Sequence, residues 1–567
     1  MNAVVLVVLT FGLYLLAYHT YGKFLAKKIF KLDPEARTPA HELQDNIDYL
    51  PTRKEILFGH HFTSIAGLGP IVGPAIAIIW GWLPAMLWIA LGPIFLGGVH
   101  DFGALVASMR SKGRSIGELT AEQINPRVRT LFFLIIFFEL WIVIAIFAMI
   151  MGLLFNLYPT SVFPVWMQLP VAIGLGYLVY KKGGNVLTLS IAAVVVVYIL
   201  IVIGSYIPIK LPDNVFGLSS IELWLVILLI YAFVASILPV WVLLQPRDYI
   251  NAHQLIIIMV LLLIGTFVAH PKVVAPVLNP HPAGGLPIWP FLFVIIACGA
   301  ISGFHSLVSS GTSSKQINRE PDALFIGYGG MLMEGALATL AVIAVAAGIG
   351  IRYVVDHGVV LTGLAAWSHH YSSWQAAAGL ESKLRAFITG SANLLASYRL
   401  PEAIGTTLMG VFIVSFAGTT LDTATRIQRY VIGEFFTDIG LPGLFNRYLS
   451  TFIAVLTAGL LAFAQKGGKG ALILWPLFGT VNQLLAGLAL LVTTVYLARR
   501  KQPLAVTALP MAFMLLMTGW AMVKNIIDYH TKHNILLFVI GIAVFILEIR
   551  MVIEAALVLR KYLARRG

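Results

Sequence analysis

Apolar residues in this chain come in long unbroken runs, without the alternation of strands or the one-sided stripe of a surface helix. Fifteen runs cover 2–22, 58–81, 84–109, 130–155, 164–180, 186–208, 221–244, 254–270, 288–310, 323–351, 403–420, 449–465, 471–498, 504–523 and 534–558. A helix needs about 20 apolar residues to cross a bilayer, and most of the runs reach that length. Barrel strands alternate and are shorter, so a β-barrel is excluded. The pattern predicts an all-α polytopic membrane protein of about 15 transmembrane helices. Composition agrees, with 59% hydrophobic and 11% charged residues against roughly 25% charged in soluble domains.

Charge gives those helices a direction. The chain holds 38 Lys and Arg against 25 Asp and Glu, a formal +13. Seven basic residues lie in 23–57 and five in 110–129, and 27 of the 38 fall in alternate connections. Cytoplasmic connections carry such an excess, so the expectation is an N-terminus outside and a C-terminus in the cytoplasm of a bacterial or archaeal cell. The excess faces anionic lipid and gives no sign of nucleic acid. No basic residue precedes the first run, which reads as a retained helix. Cys298, the one cysteine, offers no disulfide framework. Two connections exceed simple turns: 23–57 on the cytoplasmic side, and 352–402 outside, expected to lie on the bundle as a lid or interface. About 50 residues hardly build a core of their own. No catalytic spacing and no Gly-x-x-x-x-Gly-Lys-Ser/Thr loop occurs, so neither an enzyme nor an ATP-driven pump is expected, and an ion gradient is left as the energy source.

Proline and glycine mark where the helices break. Run 58–81 contains Gly67, Gly69, Pro70, Gly73 and Pro74; Pro70 and Pro74 free the carbonyls of Ala66 and Pro70. Such backbone survives in a membrane only against protein or a watery cavity. A second candidate is Ala235-Ser-Ile-Leu-Pro-Val-Trp241 in run 221–244, where Pro239 frees the carbonyl of Ala235. Two breaks of opposite topology, each opening five helices, are the inverted-repeat transporter pattern. The expected division is therefore 1–57, a first repeat 58–208, a second repeat 221–420 and four added helices in 421–567, with the site between the breaks near Ser236 and Pro239.

Chemistry is expected around the same place. Ser302, Ser306, Ser309 and Ser313 share one helix face with His305 beside them, hydroxyls for a sodium ion or an imidazole for a proton. His100 and Asp101 follow Gly97-Gly98 and form a candidate proton relay. His60, His61, His100, Asp101 and His305 together suggest a metal, but no His-Glu-x-x-His or Cys-x-x-Cys supports one. Proton handling is preferred, with sodium as the alternative and no cofactor or metal expected.

Six blocks carry a family resemblance: Gly59-His-His-Phe-Thr-Ser-Ile-Ala-Gly-Leu-Gly-Pro-Ile-Val-Gly-Pro74, Gly97-Gly-Val-His-Asp-Phe102, Leu238-Pro-Val-Trp-Val-Leu-Leu-Gln-Pro-Arg-Asp-Tyr249, Gly303-Phe-His-Ser306, Phe416-Ala-Gly-Thr-Thr-Leu-Asp-Thr423 and Trp475-Pro-Leu-Phe-Gly-Thr-Val-Asn-Gln-Leu-Leu485. In them the chain resembles the carbon starvation protein A (CstA) family. That resemblance implies an inner-membrane transporter linked to carbon starvation, to peptide uptake and, in some members, to pyruvate import with protons. Ile65-Ala-Gly-Leu-Gly-Pro70 also resembles the unwound stretch of LeuT-like transporters. This second resemblance implies an ion held by the Thr63 and Ala66 carbonyls with Ser309 and Thr312. It also implies a substrate carboxylate at the Leu68 and Gly69 amides, while Pro70, lacking an N–H, removes one donor. The expected function is an ion-coupled importer of pyruvate or short peptides; the alternative is a membrane nutrient sensor.

Overall fold

The computed structural model describes residues 1–355, 358–378, 380–438, 440 and 446–563. Among these, 13 helices are long and apolar enough to cross a membrane, from Ala3–Ile29 to Ile535–Lys561. Two more complete the fifteen runs. Arg447–Ala462 is followed by Lys466–Ile473 at a bend of 102°, and Ile288–Ile295 is continued by Gly303–Gly311. The only sheet among the described residues is a two-stranded hairpin, with Tyr353 opposite Leu361.

Local chemistry sets several helix ends. Ser219 accepts from the Glu222 amide while the Glu222 carboxylate reaches back, a capping box opening Ser220–Ile237. Asn185 and Asn446 cap Val186–Gly204 and Arg447–Ala462. Helices at the periphery, such as Val186–Gly204 and Ile535–Leu563, keep one side of Ile, Leu and Val exposed, as lipid-facing helices should. Trp475–Arg499 is buried along its apolar length. The 37-residue Glu402–Asp438 packs along Pro126–Leu157.

Run 58–81 is interrupted where glycine allows it. Lys54–Ala66 stops at Gly67, whose φ of 43° and ψ of −141° suit glycine alone, and the helix resumes as Gly69–Ala77. The second interruption corrects the expectation, because it lies in Ile288–Gly311. That helix stops at Ile296, passes Gly299 at φ 86° and resumes at Gly303. Run 221–244 is not broken in mid-span. Ser220–Ile237 ends at Leu238, which is extended as residues before proline tend to be, and Pro239 opens the link to Leu244–Ala269. Pro239 ends a helix.

Both long connections are fastened to the bundle. At one end, Asp48 pairs with Arg426 at 2.9 Å and Arg429 at 3.2 Å. Burial pushes the Asp48 carboxyl up, but Arg426, Arg429 and Lys315 outweigh it and hold it below the usual carboxylate range. At the other end, 352–402 folds into Gly363–Tyr371, Trp374–Ala378 and Leu380–Ala396. Tyr371 donates to the Ala75 carbonyl at 2.5 Å, so this segment does sit on the first interrupted span.

Candidate transport site

The two interruptions face one another across a cavity of about 370 Å³. Ala66, Gly67, Leu68 and Gly69 line one side and Ala297, Cys298 and Ser302 the other. Phe147, Thr420, Trp475 and Asn482 add to the wall, and Trp374 brings it to the 352–402 end. Contact between the breaks depends on glycine: a Cβ on Gly69 would collide with the Cys298 side chain, and one on Gly73 would meet the Ile295 carbonyl oxygen at 2.5 Å.

The expected substrate residues separate. Leu68 and Gly69 line the cavity. Ser236 and Pro239 do not; the Ser236 carbonyl accepts from Arg429 at 2.8 Å, beside the Asp48 clasp.

A buried polar ladder lies on the helix before the first break. His61 donates through Nε2 to Asp101 at 3.0 Å, and its Nδ1 meets the Ser313 hydroxyl at 2.9 Å. Ser309 donates to the other Asp101 oxygen. His60 donates through Nδ1 to Asp248 at 2.7 Å, and its Nε2 meets Thr312 Oγ1 at 3.2 Å. Asp248 accepts from Arg247 at 2.7 Å, and Arg247 also pairs with Asp422, to which Tyr231 donates at 2.7 Å. His60, His61, Asp101, Asp248 and Asp422 are fully buried and Arg247 is 3% exposed.

Among the expected coupling residues, Asp101 meets Ser309 directly, and Thr312 meets His60. Thr63 turns its hydroxyl back to the Gly59 carbonyl at 2.8 Å, and Ala66 lines the cavity. His100 is buried with neither ring nitrogen hydrogen-bonded. His305 stands apart, its Nε2 3.4 Å from Glu334. The five-residue metal set therefore divides among separate partners. Among the described residues, the one group of three donors in reach of a single ion is Cys298, His305 and Glu334.

Arg247, Asp248 and Asp422 are members of the buried network that the sequence did not single out. The helix Leu244–Ala269 begins ten residues before its apolar run, and Glu402–Asp438 continues well past its own. Arg247, Arg426 and Arg429, counted as loop charge, are thereby inside the bundle. Their one sequence signal is that Arg247-Asp248 and Asp422 fall within the quoted blocks.

Two facing interrupted helices around a central cavity, in an all-α bundle, define the LeuT-like class of membrane transporters. Residues 2–521 match the family described as Carbon starvation protein CstA, and the chain belongs to that family. It is 35% identical over 573 residues to the peptide transporter CstA of Escherichia coli, covering 92% of this chain and 81% of that one. The pyruvate/proton symporter BtsT of the same organism is 34% identical over 591 residues, at 92% and 81% coverage. In fold, the chain is similar to a crystal structure of a mutant manganese transporter from Eremococcus coleocola. The TM-score is 0.55 at 12% identity, covering 92% of this chain and 99% of that one.

Proposed function

We propose that the chain is a secondary active importer of a small carboxylate, pyruvate or a short peptide, driven by protons and working by alternating access. The observation that carries this reading is the cavity between two helix breaks with a buried His–Asp–Arg network beside it. The names of the relatives support both cargoes.

Proton coupling is favoured by the hydrogen bonds of His60. Thr312 Oγ1 lies 3.1 Å from the Val308 carbonyl, to which it can donate. It then has only a lone pair for His60 Nε2, so the set closes when both ring nitrogens carry protons. His60 and Arg247 would then balance Asp248 and Asp422; loss of the proton leaves one negative charge buried, which is costly. The Ser309 and Thr312 hydroxyls, engaged with Asp101 and His60, are poorly placed for sodium.

We read the repeats from the location of the breaks. The first comprises Lys54–Trp80, Trp82–Met109, Val128–Leu157, Ser220–Ile237 and Leu244–Ala269. The second comprises Ile288–Gly311, Leu324–Gly350, Glu402–Thr437, Arg447–Ala462 and Trp475–Arg499. Packing supports this pairing, since both third members lie together and both fourth members lie together. In a bacterial or archaeal cytoplasmic membrane, 23–57 and the C-terminus would face the cytoplasm and 352–402 the outside.

Purified protein in liposomes tests the reading. Labelled pyruvate and dipeptides are offered while proton and sodium gradients are varied independently. Accumulation that follows the proton gradient without sodium is expected; no flux under any gradient would point to a sensor.

A further inference from the structure

We infer that Cys298, His305 and Glu334 form a binding site for a zinc-type divalent cation, open to the central cavity. The three donor atoms lie within 4.8 Å of one another. They come from three different places: the second helix break, the helix after it and the neighbouring Gly329–Ala346. Zinc bound by sulfur at about 2.3 Å and nitrogen at about 2.0 Å places its donors about 3.3–3.8 Å apart. His305 Nε2 and Glu334 Oε2 already stand at 3.4 Å. Closing the set needs only a small swing of the Cys298 side chain, which lies between the two helix halves of the break.

What these residues lack points to a ligand. His305 and Glu334 are fully buried, yet neither ring nitrogen and neither carboxylate oxygen has a hydrogen-bond partner of good geometry. Buried polar atoms are rarely left so. A divalent ion would satisfy one atom of each and cancel the charge, since a thiolate and a carboxylate bring two negatives and a neutral imidazole none. Thiolate with imidazole selects against magnesium and calcium, which take oxygen donors.

Access fits as well. Cys298 lines the cavity and is partly exposed, whereas His305 and Glu334 lie behind it. The ion would enter past the sulfur and keep a fourth position facing the cavity, as three-ligand zinc sites do. The site does not depend on which cargo is carried.

Cys298 is the only cysteine, so its alkylation reads the site directly. Purified full-length protein in detergent is treated with a small maleimide, with and without zinc chloride, and labelling rates are compared. Zinc is expected to slow labelling at least 10-fold in the wild type. In His305→Ala and Glu334→Gln, protection should need at least about 10-fold more zinc, each variant being compared with its own zinc-free rate because both residues neighbour the Cys298 sulfur. Folding of the variants is read separately, from the thermal unfolding midpoint and the gel-filtration profile. Labelling of the wild type that is indifferent to zinc up to millimolar concentration overturns the site, whatever the variants do. Equal protection in both well-folded variants overturns the assignment of ligands.

Discussion

Arg247 sits between two buried carboxylates, with Asp248 at 2.7 Å and Asp422 closer still, and donates to Tyr231 at 2.6 Å. Arg247, Asp248 and Asp422 are all buried, so each charge depends on the others for compensation. Removing one partner of a buried ion pair costs about 3–5 kcal/mol, mostly from the charge left behind. Arg247→Met should therefore lower the thermal unfolding midpoint sharply, and adding Asp422→Asn should restore part of the loss. A single variant as stable as wild type would show that the cluster is hydrated. His60 makes a different prediction, because in the proposed coupling it is the residue that carries the proton. Glutamine keeps a donor for Asp248 and carries no charge. His60→Gln should abolish proton-driven accumulation while leaving counterflow exchange of substrate; unchanged accumulation would remove His60 from the coupling path.

At the scale of the helix, the breaks are held by positions that tolerate no side chain. Gly67 has a backbone conformation that costs other residues about 1–3 kcal/mol, and a Cβ there would stand 2.6 Å from Thr420 Oγ1. Gly67→Ala should lose stability of that order and shrink the cavity, seen as weaker substrate binding by the folded fraction. Binding at wild-type affinity would mean that the unwound stretch does not shape the site. The same elements explain what could be read from the sequence. All fifteen runs correspond to helices because bilayer length is a property of one segment alone. The first break was legible since glycine and proline coincide in Gly67–Pro74. The second was not, because Gly299 and Gly303 break the helix without proline, and Pro239 drew attention to what is a helix end. Polar stretches such as 245–253 read as connections in the sequence; only neighbours far along the chain, His60 and Asp422, make them buried helix.

Across the whole molecule, the cavity extends towards 352–402, reaching Trp374 and Leu380, while buried ion pairs occupy the side nearer 23–57. Lys383 makes the docking of 352–402 on the bundle sensitive to pH. Its side chain is fully buried, donates to the His370 carbonyl at 3.1 Å and stands 3.9 Å above the Tyr371 ring. Burial lowers its pKa from 10.5 to about 7. Burial and the neighbouring Lys383 also push His370 down to about 4, so that ring stays neutral above this and does not compete. The sign follows from proton counting. Between about 7 and 10.5 the unfolded lysine holds a proton that the folded one has released, so unfolding takes up a proton and stability rises with pH. Below about 7 both forms are charged and this contribution is flat. One proton limits the slope to about 1.4 kcal/mol per pH unit. Lys383→Met, which keeps the apolar stem and has nothing to titrate, should remove that part of the slope. Thermal unfolding from pH 6 to 10 should therefore give wild-type and variant curves that converge towards pH 10, with the variant more stable below about 7. Parallel curves throughout would mean that Lys383 keeps an ordinary, hydrated ammonium and that 352–402 is not docked over it.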